Sequence, residues 1–201
     1  MTAILEVQAG SMLTYKALLT SRRDEMISLL ITVHHMPPIR AEAMVDQYWD
    51  LAVAGVIKDN DQNEFWAPAI SGIFGDTPPA DPDRALAELV VNEALGFLQA
   101  SEHNSGLGPS LMVDWGWHAL KDWTMLYDAF CVAMFGRYLH HEPSGLLVLP
   151  DGYVDAWPTF TLDDTVLAMH EQGPVLDLLW ITCGKCGNPC DGCCHTRCKR
   201  A

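Results

Sequence analysis

The sequence predicts a mainly α-helical protein, a compact helical domain followed by a small cysteine-rich metal-binding tail. Apolar residues recur at helical spacing in several segments, and prolines and glycines separate those segments. Six of the seven cysteines lie beyond residue 181. A chain of 201 residues, 49% apolar and 19% charged, can bury one core. We therefore assign residues 1–180 to the helical domain and residues 181–201 to the tail.

Two helices are predicted in the first third of the chain. Ser21, with Asp24 three residues later, resembles a capping box, so a helix should begin there and end at the prolines of residues 36–38. A second helix should begin at Pro38, because apolar side chains then recur at helical spacing at Met44, Val45, Tyr48, Leu51 and Ala52. Residues 58–82 are rich in proline, glycine and aspartate and are predicted to form a long loop.

The middle of the chain should also be helical. Asp81 followed by a proline is typical of a helix start, and Ser110 can cap the next helix. That helix should either continue or restart near Thr124, and Gly136 should mark its end, since glycine favours the conformation that terminates helices.

The last part of the domain is predicted to hold a small hairpin and one more helix. Residues 146–157 contain a Pro-Asp-Gly turn sequence that predicts the hairpin. Thr161 and Asp164 should cap the helix, and Gly173 should end it.

Charge and apolar patterning limit the partners. The net charge of −14, from 26 acidic and 12 basic residues, repels nucleic-acid backbones over most of the surface. A small basic cluster accompanies the terminal cysteines: Lys185, Arg197, Lys199 and Arg200. No apolar run approaches the roughly 20 residues of a membrane span, and the N-terminal residues lack the pattern of a secretory signal. We therefore expect a cytoplasmic protein with no membrane partner, in which cysteines stay reduced.

The stretch "VDWGWH" places Asp114 and His118 one helical turn apart, on one face. The later "YLHH" could bring His140 or His141 to the same pocket, which would then match the ligand set of zinc, iron or manganese. Asp114 could instead orient a histidine ligand. In an enzyme, the histidines would hold a catalytic metal, Asp114 would be a ligand or general base, and Tyr127 would be a proton donor. The simpler alternative is a hydrogen bond that stabilises helix packing.

The run "LGPSLMVDWGWHALKDWTMLYDAFCVAMFGRYLHHEP" resembles the motif of the glycine-rich domain-containing protein-like family, in its short actinobacterial type. The resemblance covers roughly residues 85–190. The positions in register are Pro109, Ser110, Val113, Asp114, Trp117, His118, Thr124, Tyr127, Phe130, Cys131, Gly136, Arg137, His140, His141 and Pro143. It implies that Asp114, His118, Cys131 and one of the two adjacent histidines form one site. It implies no particular activity.

The cysteine tail predicts a zinc site. Two Cys-x-x-Cys pairs, Cys183 with Cys186 and Cys190 with Cys193, have the spacing of zinc knuckles. The alternative ligands that follow them are Cys194, His195 and Cys198. Iron–sulfur ligation is the lesser alternative, and an exported chain would instead form three disulfides.

The sequence therefore predicts a small cytoplasmic metal-binding accessory protein. Zinc would occupy the cysteine tail, a second metal would occupy the pocket around His118, and the protein would bind a partner protein or a small ligand. The alternative is a metal-dependent enzyme that uses His118, Asp114 and His140 or His141.

Overall fold

All regular secondary structure in the described residues is helical. The structure, a computed structural model, describes residues 15–59, 65–104, 107–141 and 162–180. The predicted mainly helical class is confirmed for these ranges. The predicted hairpin at 146–157, the Thr161 cap and the cysteine tail at 181–201 lie outside the described residues.

The helices follow one another with short connections where both neighbours are described. A helical stretch at residues 15–21 leads into the first full helix. The α-helices are α1 (Arg23–Thr32), α2 (Pro38–Lys58), α3 (Trp66–Phe74), α4 (Pro82–His103), α5 (Leu111–Lys121), α6 (Thr124–Phe135) and α7 (Leu162–Gln172). A 3-10 helix at Asp177–Trp180 completes the described fold.

Three predicted helix ends are confirmed by their capping geometry. The Asp81 carboxylate accepts a hydrogen bond from the Arg84 amide at 3.0 Å at the start of α4. The Ser110 hydroxyl accepts one from the Val113 amide at 3.2 Å at the start of α5. Gly136 has φ +69°, the left-handed conformation that ends α6.

The predicted capping box at Ser21 is wrong. Ser21 belongs to the preceding helical stretch, and its hydroxyl donates to the carbonyl of Leu18 at 2.8 Å. The Arg22 amide also bonds back to that carbonyl, so the chain passes almost without interruption into α1. No side chain caps α1, because the preceding turn of helix already satisfies the local backbone.

The predicted long loop at 58–82 is wrong in part, because α3 lies inside it. The helix buries Trp66, Ile73 and Phe74 against the rest of the protein, and its proline stands in the first turn, where proline is tolerated. The Trp66 indole donates to the Asp83 carboxylate at 2.8 Å, which ties α3 to the start of α4. Tertiary burial thus outweighs a composition typical of loops.

Helix α4 is the centre of the domain. Nearly every side chain from Leu86 to Leu98 is buried, and α4 contacts α2, α3, α5 and α7. A helix that is apolar on all sides must be surrounded by others. No helix in the described ranges, α4 included, has the length and apolarity needed to cross a membrane.

Helix α5 approaches α4 closely at Gly116. A Cβ atom built there would lie 2.7 Å from the carbonyl oxygen of Val90 and 2.8 Å from the Cβ of Ala94. Since the nearest atom belongs to the backbone of the central helix, it cannot move aside at small cost. Glycine therefore sets the distance between the two helices.

Gly116→Ala should lower the free energy of unfolding by about 2 kcal/mol, because the methyl group forces the two helices apart. Gly72→Ala, in α3, is the matched control, since nothing lies within 4 Å of its added Cβ. That change should raise stability by about 0.5–1 kcal/mol through helix propensity. Urea denaturation measures both, and equal effects would contradict the close approach.

Glu93, in the middle of α4, is a buried carboxylate with 1% exposure. Burial raises the pKa of Glu93 to about 7. The N–H groups of Trp180 and Leu176, which donate to its carboxylate, lower this pKa, and the Asp177 carboxylate raises it. Tyr15 is the other titratable group that faces it, and burial with the Glu93 charge raises the pKa of Tyr15 to about 12. The folded protein therefore favours a protonated Glu93 relative to the unfolded chain.

The pKa of Glu93 predicts a pH-dependent stability. With an ordinary pKa of 4.5 in the unfolded chain, its contribution is fully present below pH 4.5 and is lost as pH rises to about 7. The loss is about 3 kcal/mol. Urea denaturation at pH 4.5 and at pH 8 measures how far the free energy of unfolding falls between the two conditions. The fall should be smaller by this amount in Glu93→Gln than in the wild type. Parallel pH profiles for both proteins would contradict the burial of an ionisable group here.

Candidate metal centre

Helix α5 presents Asp114 and His118 side by side. The Ser110 cap starts the helix, and the Asp114 amide bonds to the Ser110 carbonyl at 2.8 Å, so Asp114 lies in the first turn. His118 follows one turn later, and its nearest ring nitrogen lies 3.8 Å from the Asp114 carboxylate. The opposite face of α5, with Val113 and Leu120, is buried in the core.

His141 joins this pair from the segment that follows α6. Gly136 turns the chain out of the helix, and the next residues run back to α5. The Tyr127 hydroxyl donates to the carbonyl of Leu139 at 2.9 Å, which fixes this segment two residues before His141. The ring of His141 then packs on the ring of Trp117, with centroids 4.3 Å apart.

Asp114, His118 and His141, hereafter the triad, bring three donor atoms together. The His141 Nε2 lies 2.6 Å from an Asp114 oxygen and 3.1 Å from the His118 Nε2. Two ligands bound to one transition-metal ion at about 2.0–2.1 Å are separated by roughly 2.9–3.4 Å. The 3.1 Å between the two histidine nitrogens lies in that range, whereas Asp114 is 2.6 Å from His141 through one oxygen and 3.8 Å from His118 through the other. One ligand atom from each residue lies within 4.8 Å of the other two, so all three residues could reach one ion.

Hydrogen bonding alone serves this arrangement poorly. A ring nitrogen of neutral histidine carries either one proton or one lone pair. The Nε2 of His141 nevertheless faces two partners, the Asp114 carboxylate and the Nε2 of His118. It can satisfy only one of them well. A single cation between the three residues would satisfy all the donor atoms at once.

The triad lies at the edge of the core. The side chains of His141 and Asp114 are 9% and 14% exposed, whereas that of His118 is 45% exposed. Burial lowers the pKa of His118. The nearby Asp114 carboxylate raises it, and Lys121 and His141 lower it further. The lowered pKa favours the neutral form of His118, which is the protonation state that binds metals.

Tyr127 is part of a buried hydrogen-bonded chain. Its hydroxyl accepts from the Trp117 indole at 2.7 Å and donates to the Leu139 carbonyl at 2.9 Å. Burial raises the pKa of Tyr127 well above its ordinary value, so the hydroxyl keeps its proton. The hydroxyl supports His141 in two ways. It bonds to Trp117, whose ring packs on His141, and it bonds to the backbone of Leu139, two residues before His141. Its predicted role as a proton donor would require this chain to open.

Cys131 and His140 lie outside the group that could hold a metal among the described residues. Cys131 is fully buried, and burial raises its pKa to about 11; its thiol contacts the Tyr127 hydroxyl and the Leu139 backbone. His140 is exposed and its ring packs on Tyr138 instead. Adjacent residues in an extended segment point to opposite sides, so only His141 reaches Asp114. The predicted ligands of the tail, Cys183 to Cys198, lie outside the described residues.

Sequence reasoning missed the tertiary hydrogen bonds of two residues, Glu93 and Ser110. Glu93 accepts hydrogen bonds from the Leu176 amide and the Trp180 indole. Ser110 was predicted only as a cap, yet its hydroxyl also donates to the Leu179 carbonyl at 2.6 Å. The signal for Glu93 was present: a lone acidic residue inside the apolar run "LVVNEALGFL" must be buried with a partner.

Comparison of the chain with protein-family models, curated proteins and solved structures found no match. The resemblance to the glycine-rich domain-containing protein-like family therefore stays a prediction.

Tyr127→Phe should lower the free energy of unfolding by about 2–3 kcal/mol, because it leaves the Trp117 indole and the Leu139 carbonyl without their partner. Tyr48→Phe is the matched control: the Tyr48 hydroxyl is also buried but donates only to the Leu120 carbonyl. It should cost about 1 kcal/mol. Thermal and urea denaturation would measure the difference, and equal losses would contradict the bridging role.

Proposed function

We propose that this protein is a metal-binding accessory protein whose triad holds one divalent transition-metal ion. The observation that carries the proposal is the convergence of donor atoms from Asp114, His118 and His141, where the Nε2 of His141 faces two partners and can satisfy only one of them well. Imidazole and carboxylate together suit zinc, iron and manganese.

The charge of such a centre favours further ligands. One carboxylate and two neutral imidazoles leave a divalent ion with a net charge of +1. Three protein ligands are one fewer than the four of closed structural zinc sites, so the ion would keep a position for water or a small molecule. The exposed edge at His118 supports access from solvent. We therefore propose that the protein binds a small ligand or a partner side chain at this ion.

The cysteine tail would bind a second ion independently. Its two Cys-x-x-Cys pairs support a zinc site of thiolates, with Cys194, His195 and Cys198 as alternative ligands. Thiolates prefer softer ions than the triad does, so the two sites should differ in their metal preference.

A metal-dependent enzyme is the second candidate function, and the same exposed edge of His118 favours it. A water bound to the ion at that position would become more acidic and could act as a nucleophile. Asp114 and both histidines would then be ligands. Protons would pass through the bound water, since the hydroxyl of Tyr127 is already committed to Trp117 and Leu139.

Metal content per chain, by elemental analysis after equilibration with Zn²⁺ and dialysis, tests the proposal. The wild type should retain one ion at the triad and one in the tail. His118→Ala and His141→Ala should each lose one ion, with affinity lower by at least about tenfold, since even partners outside the ligand shell contribute that much. Cys183→Ser combined with Cys186→Ser should remove only the ion in the tail.

His140→Ala is the matched control, because it removes a neighbouring imidazole that lies outside the triad. It should retain both ions. If His118→Ala, His141→Ala and His140→Ala all bind as much metal as the wild type, the triad is a packing arrangement and the proposal is wrong.

A further inference from the structure

The segment at residues 174–180, here called the clasp, is fastened to α4 by a buried carboxylate. One oxygen of Glu93 accepts from the Leu176 amide at 3.1 Å, and the other accepts from the Trp180 indole at 3.1 Å. Both Leu176 and Trp180 are buried in the core. Using both oxygens of one side chain fixes the position and the rotation of the clasp.

Ser110 connects the clasp to the helix that carries two of the triad residues. Its hydroxyl donates to the Leu179 carbonyl at 2.6 Å and accepts from the Val113 amide at 3.2 Å. Its own carbonyl accepts from the Asp114 amide at 2.8 Å. One residue therefore holds the clasp and orients the first turn of α5.

A row of aromatic rings connects the clasp to the third triad residue. The ring of Trp180 packs against Phe97 with centroids 6.3 Å apart, and Phe97 packs against Trp117 at 5.5 Å. Trp117 in turn packs against His141 at 4.3 Å. The same indole that Glu93 holds thus supports the ring beneath His141.

From these two connections we propose that the clasp positions the triad for metal binding, with Glu93 and Trp180 as positioning residues. Metal affinity depends on how closely the donor atoms are held in place before the ion arrives. A docked clasp restrains Asp114 through Ser110 and His141 through Trp117, whereas a loosened clasp removes one of the restraints on each. This inference rests on the metal-binding function proposed above.

Cobalt titration of the full chain tests the proposal. The part of the visible absorption that is present in the wild type and absent in His118→Ala comes from Co²⁺ at the triad. Co²⁺ bound by the cysteines absorbs in both proteins and cancels in the comparison. Glu93→Gln exchanges one acceptor oxygen for an N–H group, and Trp180→Phe deletes the indole donor. Each should weaken Co²⁺ binding at the triad on the order of tenfold, within the range that residues outside a site impose on it.

The chain contains a matched control pair. The Trp66 indole donates to the Asp83 carboxylate at 2.8 Å, the same kind of interaction as between Trp180 and Glu93. Although α3 packs against residues 177–180, this hydrogen bond joins α3 to α4 and does not hold the clasp. Asp83→Asn and Trp66→Phe should leave the cobalt affinity within about twofold of the wild type, a smaller change than long-range coupling produces. General loss of stability would lower affinity in both pairs, whereas positioning lowers it only in the clasp pair.

Hydrogen exchange supplies a second measurement. Because coupling between two sites is reciprocal, Co²⁺ should slow exchange of the Leu176 and Leu179 amides in the wild type but not in His118→Ala, which keeps the cysteines of the tail. Unchanged cobalt affinity in Glu93→Gln and Trp180→Phe, with unchanged exchange, would overturn the positioning role and leave the proposed function standing. Absence of any His118-dependent cobalt binding in the wild type would overturn both.

Discussion

The close packing of α5 on α4 is the constraint on which the rest of the site depends. Gly116 brings the helix against the carbonyl oxygen of Val90, a distance that any larger residue would lengthen. The position of Gly116 also fixes the residues that follow it. Trp117 is buried in the core, and His118 lies at the edge of the core, partly exposed to solvent. The central helix therefore determines where the histidine ring stands relative to solvent.

The triad combines a pair of residues that are close in sequence with a third residue that is distant in sequence. Asp114 and His118 are adjacent as soon as α5 forms, since residues four apart share a helix face. His141 arrives only when α6 and the returning segment are in place, because its position depends on the bond from Tyr127 to Leu139. Metal affinity would consequently measure tertiary packing rather than helix formation alone.

The sequence predicts those features whose causes are local. Capping side chains at Asp81 and Ser110 act within three residues, and their helix starts were predicted correctly. Helix α3 was missed because its stability comes from burial of residues such as Trp66 against other helices, which a composition typical of loops does not reveal. The choice between His140 and His141 was left open because it depends on how the segment is anchored, which no local spacing encodes.

Metal binding at the triad would be linked to folding through the same contacts. If the ion binds only the folded protein, free metal at about 100 times its dissociation constant stabilises the fold by about 2.7 kcal/mol. That is comparable to what the buried charge of Glu93 costs above neutral pH. Glu93 lowers stability when it is charged, yet it lies where the clasp packs against α4. Its two hydrogen bonds fix an orientation that an apolar side chain of similar size could not, so the carboxylate contributes specificity of position while reducing stability.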